Sequence, residues 1–306
     1  MRIVVGVSPD ESGSDAVALG AVLSRLLGGA LTVAYVHPPT VDYPSVGNVD
    51  AEWAEFLRER GDATLAGAAA QLAGDWGIVD VERKTVASAS VPRGLRQATA
   101  DVGAAITVLG PDTGGRDGRL ALGSAAQSLL HGGETAVALA PEGYRETAPD
   151  AIGRLVVGFR DTRAAIALTG SALELAEATG IPVHLLTVVM RSTRIVGARA
   201  GRDPERAVMD SLVEREAAAQ AREIADSGGR LTGEVVRGDT AEQAMGRVDW
   251  HPDDVLLVGS SRFGTLRRVF LGDTTHKLLR ACAVPAIVMP REPGEFAEDL
   301  AEESAE

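Results

Sequence analysis

Two loops of the sequence have the residue types of an anion-binding site. Each begins with a glycine at the end of a short apolar run, Gly110 or Gly259, and ends with a second glycine, Gly123 or Gly272, directly before a helical pattern. Glycine lets the backbone approach a phosphate because no Cβ stands in the way. The amino end of the following helix adds unsatisfied N–H groups and positive partial charge. The two loops therefore predict two phosphate-type sites in one chain.

The side chains at the two helix starts differ. Ser124 follows the glycine of the first loop and suits an anion, whereas Asp273 and then Thr274 follow that of the second. A carboxylate at this place repels a phosphate, although the arginines of the second loop offset that charge if they turn inward. In the first loop, the negative charges of Asp112 and Asp117 also disfavour the binding of phosphate. The residues therefore leave open which of the two loops is the better site.

The loops belong to a repeat that covers most of the chain. The stretch Ala105 to Pro141 has the same layout as Asp254 to Pro290. Short apolar runs alternate with helical patterns through short connections, which favours parallel strands with helices on both faces of the sheet. The strands predicted in the first half are Arg2–Val7, Leu31–Val36, Val79–Thr85, Ala105–Leu109 and Ala136–Ala140. We predict a first domain at 1–141, a linker at 142–153, a second domain at 154–290 and a disordered acidic tail at 291–306.

The helices that position the loops follow from apolar spacing and turn residues. The first runs from Ala16 to Leu27, and the preceding segment offers Ser12, Ser14 or Asp15 as its N-cap. The second helix, about Ala51 to Ala73, is predicted to bury a stripe made of Trp53, Phe56, Leu57 and Leu65. In each half, we expect the strand order 3-2-1-4-5. Ligands of such sheets bind where the order reverses, at the carboxyl ends of strands 1 and 4.

The sequence resembles the universal stress protein family in its tandem form, over essentially residues 1–290. The stretch GTLRRVFLGDTTHKLLRACAVPAIVMP carries the most specific likeness. The resemblance implies two five-stranded domains of the adenine nucleotide alpha hydrolase-like kind, related by a pseudo-twofold axis. It also implies that the last strands, Ala136–Ala140 and Pro285–Met289, pair with each other, so that the chain forms internally a dimer of domains. Further pairing into a homodimer stays open.

The family's nucleotide motif is only partly kept. It is a glycine, two residues, a glycine, nine residues, and a glycine followed by Ser or Thr. Arg262 and Asp273 break it in the second half, and Thr113 breaks it in the first. The position of the family's aspartate after strand 1 is occupied by Ser8 in the first half and by Arg160 in the second. Asp10 and Asp161 are nearby in the sequence. The candidate nucleotide-binding residues are Ser8, Asp10, Gly110, Gly123, Ser124, Gly259, Arg262, Gly272 and Thr274.

Composition and residue spacing exclude several other functions. The net charge of −13 repels nucleic acid and acidic membranes. A single Cys282, no membrane-length apolar run and no signal-peptide pattern favour the cytoplasm. The five histidines lack metal-ligand spacing, and we interpret the acid pairs Asp10-Glu11 and Asp253-Asp254 as turn residues rather than catalysts. The arginines from Arg191 to Arg206 alternate with Gly, Asp and Glu, which favours a solvated loop.

We therefore predict a cytoplasmic stress-response protein that acts as a binding or regulatory module, with degenerate nucleotide loops and no assignable catalysis. One alternative is a stress sensor that binds ATP with magnesium and hydrolyses it slowly. Another is a nucleotidyl-transferring enzyme on a related fold, which needs a dedicated phosphate loop after strand 1. The segment SPDESGSD offers only a weak one. No metal site is predicted, ATP with magnesium is left open as a ligand, and the protein partner also stays open.

Overall fold

The computed structural model describes residues 1–39, 49–112, 118–131, 134–190, 202–259 and 273–290. The predictions for Arg262, Gly272 and the acidic tail lie outside these residues, and Thr274 is described by its backbone alone.

The first half alternates strands and helices as the apolar pattern predicts. Its elements are β1 Arg2–Gly6, α1 Glu11–Leu27, β2 Ala30–His37, α2 Val49–Trp76, β3 Val81–Ala87, α3 Val91–Val102, β4 Ile106–Leu109, α4 Ser124–Leu130 and β5 Ala136–Leu139. The segment predicted as a linker contains one short helix, α5 Tyr144–Thr147. One N-cap prediction was wrong, because α1 begins at Glu11 after Asp10, ahead of Ser12, Ser14 and Asp15.

The second half repeats this order. Its elements are β6 Arg154–Gly158, α6 Arg163–Thr179, β7 Val183–Met190, α7 Arg202–Asp226, β8 Leu231–Gly238, α8 Ala241–Met245, β9 Asp254–Gly259, α9 Asp273–Ala281 and β10 Ala286–Met289. Helix α8 is only 5 residues long. It ends before Gly246, and the indole N–H of Trp250 donates to the carbonyl of Met245 at 3.1 Å, which satisfies a helix-end acceptor.

The ten strands form one sheet, in the order β3-β2-β1-β4-β5-β10-β9-β6-β7-β8. Each half therefore has the predicted order 3-2-1-4-5, with parallel pairing inside the half. Strands β5 and β10 pair antiparallel, with Val137 opposite Val288 and Leu139 opposite Ala286. This pairing confirms the predicted junction of the two last strands. It covers β5 and β10, each of which would otherwise be the exposed edge strand of its half, and this removes a site of aggregation.

The sheet is covered on both faces. One core contains Val5, Leu19 and Leu185 beside α1, α2, α6 and α7. The other contains Leu95 and Leu279 beside α3, α4, α8 and α9. This is the predicted doubly wound arrangement.

The predicted buried stripe on α2 is only half right. Leu57 and Leu65 are buried, whereas Trp53 is 52% exposed and Phe56 46% exposed. The reason lies in the length of β2. Its Tyr35 side chain lies against Gly61 of α2, and the strand ends two residues later at His37. The earlier turns of α2 therefore extend past the edge of the sheet.

Asp15 fastens the predicted linker to the first half. This α1 residue is 4% exposed, and its carboxylate accepts the backbone N–H groups of Gly143 at 3.0 Å and Arg145 at 2.8 Å. The side chain of Arg145 pairs with Asp75 on α2 at 3.1 Å. Burial raises the pKa of Asp15, and the N–H groups of Arg145 and Gly143 oppose that rise. The carboxylate thus acts as the cap of α5 from another element.

We expect Asp15→Ala to lower the free energy of unfolding by about 2 kcal/mol, because two backbone donors lose their acceptor. Hydrogen exchange at the Gly143 and Arg145 amides should accelerate in the same variant. Asp75→Ala is the control, because the ion pair that it removes is nearly half exposed on both sides and should contribute less than about 1 kcal/mol. Equal losses in the two variants would show that Asp15 does not hold α5.

Candidate functional site

The two predicted crevices lie at the carboxyl ends of the strands of each half, and these ends point in opposite directions because β5 and β10 pair antiparallel. Strand β1 pairs with β4, and β6 pairs with β9, so the order reverses at these two places as predicted. The loops after β1 and β4 therefore begin beside each other in the first half, and β6 and β9 end beside each other in the second. Loops at such reversals are where open α/β sheets bind ligands.

In the first half, the two loops are in close contact. A Cβ placed on Gly110 would lie 1.8 Å from the backbone oxygen of Ser12, in the first turn of α1. The loop after β1 is also tight in itself, since a Cβ on Gly13 would lie 2.3 Å from the oxygen of Ser8. Gly110 was predicted to let a phosphate approach the backbone. In the structure, the backbone of Ser12 lies there instead.

Hydroxyl groups in the loop after β1 are bound to a carboxylate. Ser8 and Ser12 each donate to Oδ1 of Asp10 at 2.5 Å, and their own hydroxyl oxygens lie 3.0 Å apart. Partial burial acts to raise the pKa of Asp10, but the hydrogen bonds from Ser12 and Ser8 outweigh it, so the pKa is lowered. The predicted residues Ser8 and Asp10 therefore form one negatively charged cluster, and this cluster does not resemble a phosphate loop.

A second carboxylate lies at the start of α4. A Cβ on Gly123 would lie 2.7 Å from Cγ of Asp112, and the backbone N–H of Asp112 donates to the carbonyl of Ala121 at 3.0 Å. This hydrogen bond folds the loop after β4 back toward Ser124, which is exposed at the first position of α4. Asp112 thus occupies the place that the sequence pattern assigns to an anion.

In the second half, no described residue crowds the same position. Of the described residues, the nearest atom to a Cβ on Gly259 would be Cδ2 of Leu168, at 4.0 Å. After β6, Phe159 is buried and Arg160 is exposed, so the arginine does not fill the crevice. Asp161 pairs with Arg222 on α7 at 3.3 Å. Among the described residues, the surroundings of Gly259 are therefore less crowded than those of Gly110.

The structure brings Ser8 and Asp10 beside Gly110 through Ser12, and it places Gly123 and Ser124 at Asp112. The role of the Ser12 backbone was missed, because a close approach of two main chains has no side-chain signal in the sequence. The unfavourable charge of Asp112 could be read from its position, but its contact with Gly123 could not.

The acid pair Asp253-Asp254 has a structural partner. Asp254 at the start of β9 is 1% exposed, and Arg154 donates to both of its oxygens at 2.7 Å. The backbone N–H of His251 donates to Oδ2 at 2.8 Å. The possible ligand atoms of His251, Asp253 and Asp254 lie within 4.8 Å of one another. Because both Asp254 oxygens are already hydrogen-bonded, we assign no metal to this group.

His184 extends this cluster onto β7 and β8. Its Nδ1 lies 2.9 Å from the hydroxyl of Thr232, and its Nε2 lies 3.5 Å from Oε1 of Glu234. Burial, followed by the nearby Arg154 cation, lowers the pKa of His184, while Glu234 and Asp254 oppose this. The folded state therefore favours the neutral ring.

This shift predicts a pH dependence of stability. A base with a lowered pKa contributes stability above its unfolded pKa, about 6.5, and that contribution is lost as the pH falls through the folded value. Between pH 7.5 and pH 5.5, the free energy of unfolding should fall more steeply for the wild type than for His184→Gln. Chemical denaturation at several pH values measures both slopes, and parallel slopes would contradict the assignment.

Comparison with known proteins supports the class that the fold defines, a tandem pair of doubly wound domains with crevices at the strand reversals. The sequence model of the universal stress protein family matches residues 1–141 and 151–290. A universal stress protein of Mycobacterium tuberculosis is 31% identical over 301 residues, which covers 95% of this chain and 100% of that protein. The chain belongs to the universal stress protein family and carries its domain twice, as the sequence resemblance indicated.

Solved structures agree on the fold. A universal stress protein from Archaeoglobus fulgidus superposes with a TM-score of 0.63 at 14% identity, covering 95% of this chain and 98% of that one. A Pseudomonas aeruginosa protein described as a universal stress protein gives a TM-score of 0.57 at 14% identity, covering 100% and 98%. Within the part of the chain that the structure describes, none of the helices has the length and apolar character to cross a membrane.

Proposed function

We propose that this protein is a cytoplasmic binding or regulatory module of the stress response, whose nucleotide loops have degenerated. Its family membership gives the stress-response context. The buried, reduced Cys282 fits a reducing compartment. No side chain in the first crevice is arranged as a nucleophile with a base among the described residues, and its two serines are hydrogen-bonded to Asp10.

One observation carries the proposal, namely the contact of Asp112 with Gly123. A phosphate at the amino end of α4 would meet this carboxylate at a few ångströms, with Asp10 across the crevice. Two such like charges repel by about 1 to 4 kcal/mol, depending on the effective dielectric constant. This repulsion offsets the favourable interaction of an anion with the amino end of the helix, which contributes about 0.3–1 kcal/mol at an exposed site. The backbone of Ser12 against Gly110 removes further room.

The nucleotide content of freshly purified protein tests the proposal. The protein is precipitated in acid, and the supernatant is analysed for adenine nucleotides by chromatography and mass spectrometry. The expected result is a nucleotide content far below one per chain. A content near one per chain would refute degenerate loops and favour the alternative that follows.

An ATP-binding sensor is the second candidate, and the open position at Gly259 favours it. With the nearest atom of the described residues at 4.0 Å from a Cβ, Gly259 is less crowded by them than Gly110 is, which favours a ligand there. In this case ATP, with or without magnesium, binds in the second half alone. Gly272→Val should then abolish binding, whereas Gly123→Val should retain it. Retained binding in both variants would exclude these loops as the site.

A further inference from the structure

A short segment beside the first crevice also contacts the second half of the chain. Residues 118–122 lead from the loop after β4 to Gly123 at the start of α4. Within this segment, Leu120 is 3% exposed and Leu122 is 9% exposed. Buried side chains are unusual in a connection, because connections normally run over the protein surface. We call residues 118–122 the junction segment.

Both leucine side chains belong to an apolar core that the two halves share. This core contains Leu120 and Leu122 of the first half together with Leu279, Cys282 and Val284 of the second. It lies on the face of the sheet that α3, α4, α8 and α9 cover. The junction segment therefore packs across the boundary between the halves, where β5 pairs with β10.

One hydrogen bond joins the junction segment directly to the second half. The backbone N–H of Leu120 donates to the carbonyl of Cys282 at 3.1 Å. Cys282 comes directly after α9 and is 0% exposed. A buried carbonyl at a helix end needs a donor from another element, because the hydrogen-bonded ladder of the helix has ended there. The first half supplies that donor.

The neighbours of Leu120 are bound to two other parts of the molecule. The carbonyl of Arg119 accepts the backbone N–H of Glu142, in the connection between the halves, at 3.1 Å. The carbonyl of Ala121 accepts the backbone N–H of Asp112 at 3.0 Å, and the Asp112 carboxylate lies against Gly123. Three consecutive residues are thus held by the connection, the second half and the first crevice. Planar peptide units join these residues, so a shift at one contact displaces the other two.

We propose that the junction segment couples the first crevice to the contact between the two halves. The contact of Asp112 with Gly123 and that of Leu120 with Cys282 form together and are lost together. A change at the start of α4 in one half therefore alters the packing around Cys282 in the other. The chain's own contacts produce this coupling, so it does not depend on whether a nucleotide binds.

Cys282 provides the readout, because it is the single cysteine and is fully buried at the end of this contact. Burial raises the pKa of its thiol to about 12, so the closed form keeps the thiol protonated and unreactive. Labelling with an excess of an aromatic disulfide reagent therefore measures how often this region opens. For the wild type, the labelling rate should be nearly independent of urea at low urea concentrations, as expected of a local opening.

Removal of the Leu120 side chain tests the contact itself. Leu120→Ala should increase the labelling rate at least about 10-fold, because a buried leucine is lost from the contact. Leu19→Ala is the matched control, since Leu19 is 0% exposed on α1 and belongs to the core on the other face of the sheet. It destabilises the whole chain, but the labelling rate without urea should stay within about 2-fold of the wild-type rate. The milder Leu120→Val should give a smaller increase, and it replaces the alanine variant if that variant does not fold.

Gly123→Ala tests the coupling to the crevice. A Cβ on Gly123 would lie 2.7 Å from Cγ of Asp112, so Asp112 and the Ala121 carbonyl bound to it must shift. Labelling of Cys282 should accelerate at least about 5-fold, although the substitution lies in the other half. Gly67→Ala is the control, because Gly67 is exposed on α2 with no atom within 4 Å of an added Cβ. It should leave the rate unchanged.

The outcomes separate the two parts of the proposal. A Leu120→Ala rate equal to that of the wild type would show that the junction segment does not hold the two halves together. Equal acceleration by Leu19→Ala would show that labelling follows unfolding of the whole chain, and it would overturn the proposal as well. Acceleration by Leu120→Ala without acceleration by Gly123→Ala would overturn the coupling to the crevice.

Discussion

Replacing Arg154 by leucine should lower the free energy of unfolding by about 3–5 kcal/mol, because it leaves a buried carboxylate without its cation. The Asp254 side chain is 0% exposed, and Arg154 supplies two hydrogen bonds of 2.7 Å to it. This pair joins β6 to β9 at the amino ends of these strands, opposite the crevice of the same half. Urea denaturation at neutral pH, followed by circular dichroism, measures the loss.

The repeat provides the control for this variant. Arg2 has the same place in β1 that Arg154 has in β6, but its side chain is 52% exposed and its partner Glu82 is 49% exposed. Arg2→Leu should therefore cost less than about 1 kcal/mol. The first half has Ala105 where the second half has Asp254, so the double variant Arg154→Leu with Asp254→Ala should recover much of the loss. Similar losses for Arg154→Leu and Arg2→Leu would contradict the burial argument.

The second large effect concerns the two glycines that begin the crevice loops. Gly110→Ala should destabilise the protein by about 1–3 kcal/mol, because its Cβ would lie 1.8 Å from the Ser12 oxygen and the first turn of α1 would have to move. Gly259→Ala should change stability by less than about 0.5 kcal/mol, since the nearest atom of the described residues lies at 4.0 Å. Neither glycine has a positive φ, so backbone strain does not enter the comparison.

Thermal and chemical unfolding of both alanine variants checks this difference. Because the two positions are equivalent in the repeat, each variant serves as the control for the other. Equal destabilisation would mean that the two crevices are alike, which would remove the structural basis for placing any nucleotide in the second half.

The architecture followed from the sequence because its signals are local and repeated. Apolar runs, their spacing and the turn residues define the alternation of strands and helices, and parallel strands allow few connections. The pairing of β5 with β10 came from resemblance, because two exposed edge strands alone do not determine which edges meet. The Leu57 and Leu65 positions on α2 were also predictable from helical spacing.

Other features depend on where elements end relative to each other. Helical spacing placed Trp53 with the buried residues, but burial requires that β2 continue beneath it, and the strand stops at His37. The contact of Asp112 with Gly123 depends on how a loop folds back. The partnership of Arg154 and Asp254 joins residues far apart in the sequence, and only the register of β6 with β9 brings them together.

Calorimetric titration of ATP into the full chain, with and without magnesium, tests the central claim most directly. In the first crevice the Ser12 backbone lies against Gly110 and the Asp112 carboxylate against Gly123, and the second lacks two positions of the nucleotide motif. We therefore predict no saturable heat up to millimolar ATP. A one-site isotherm with a dissociation constant well below millimolar would contradict degenerate loops, and it would identify the protein as a nucleotide-gated sensor.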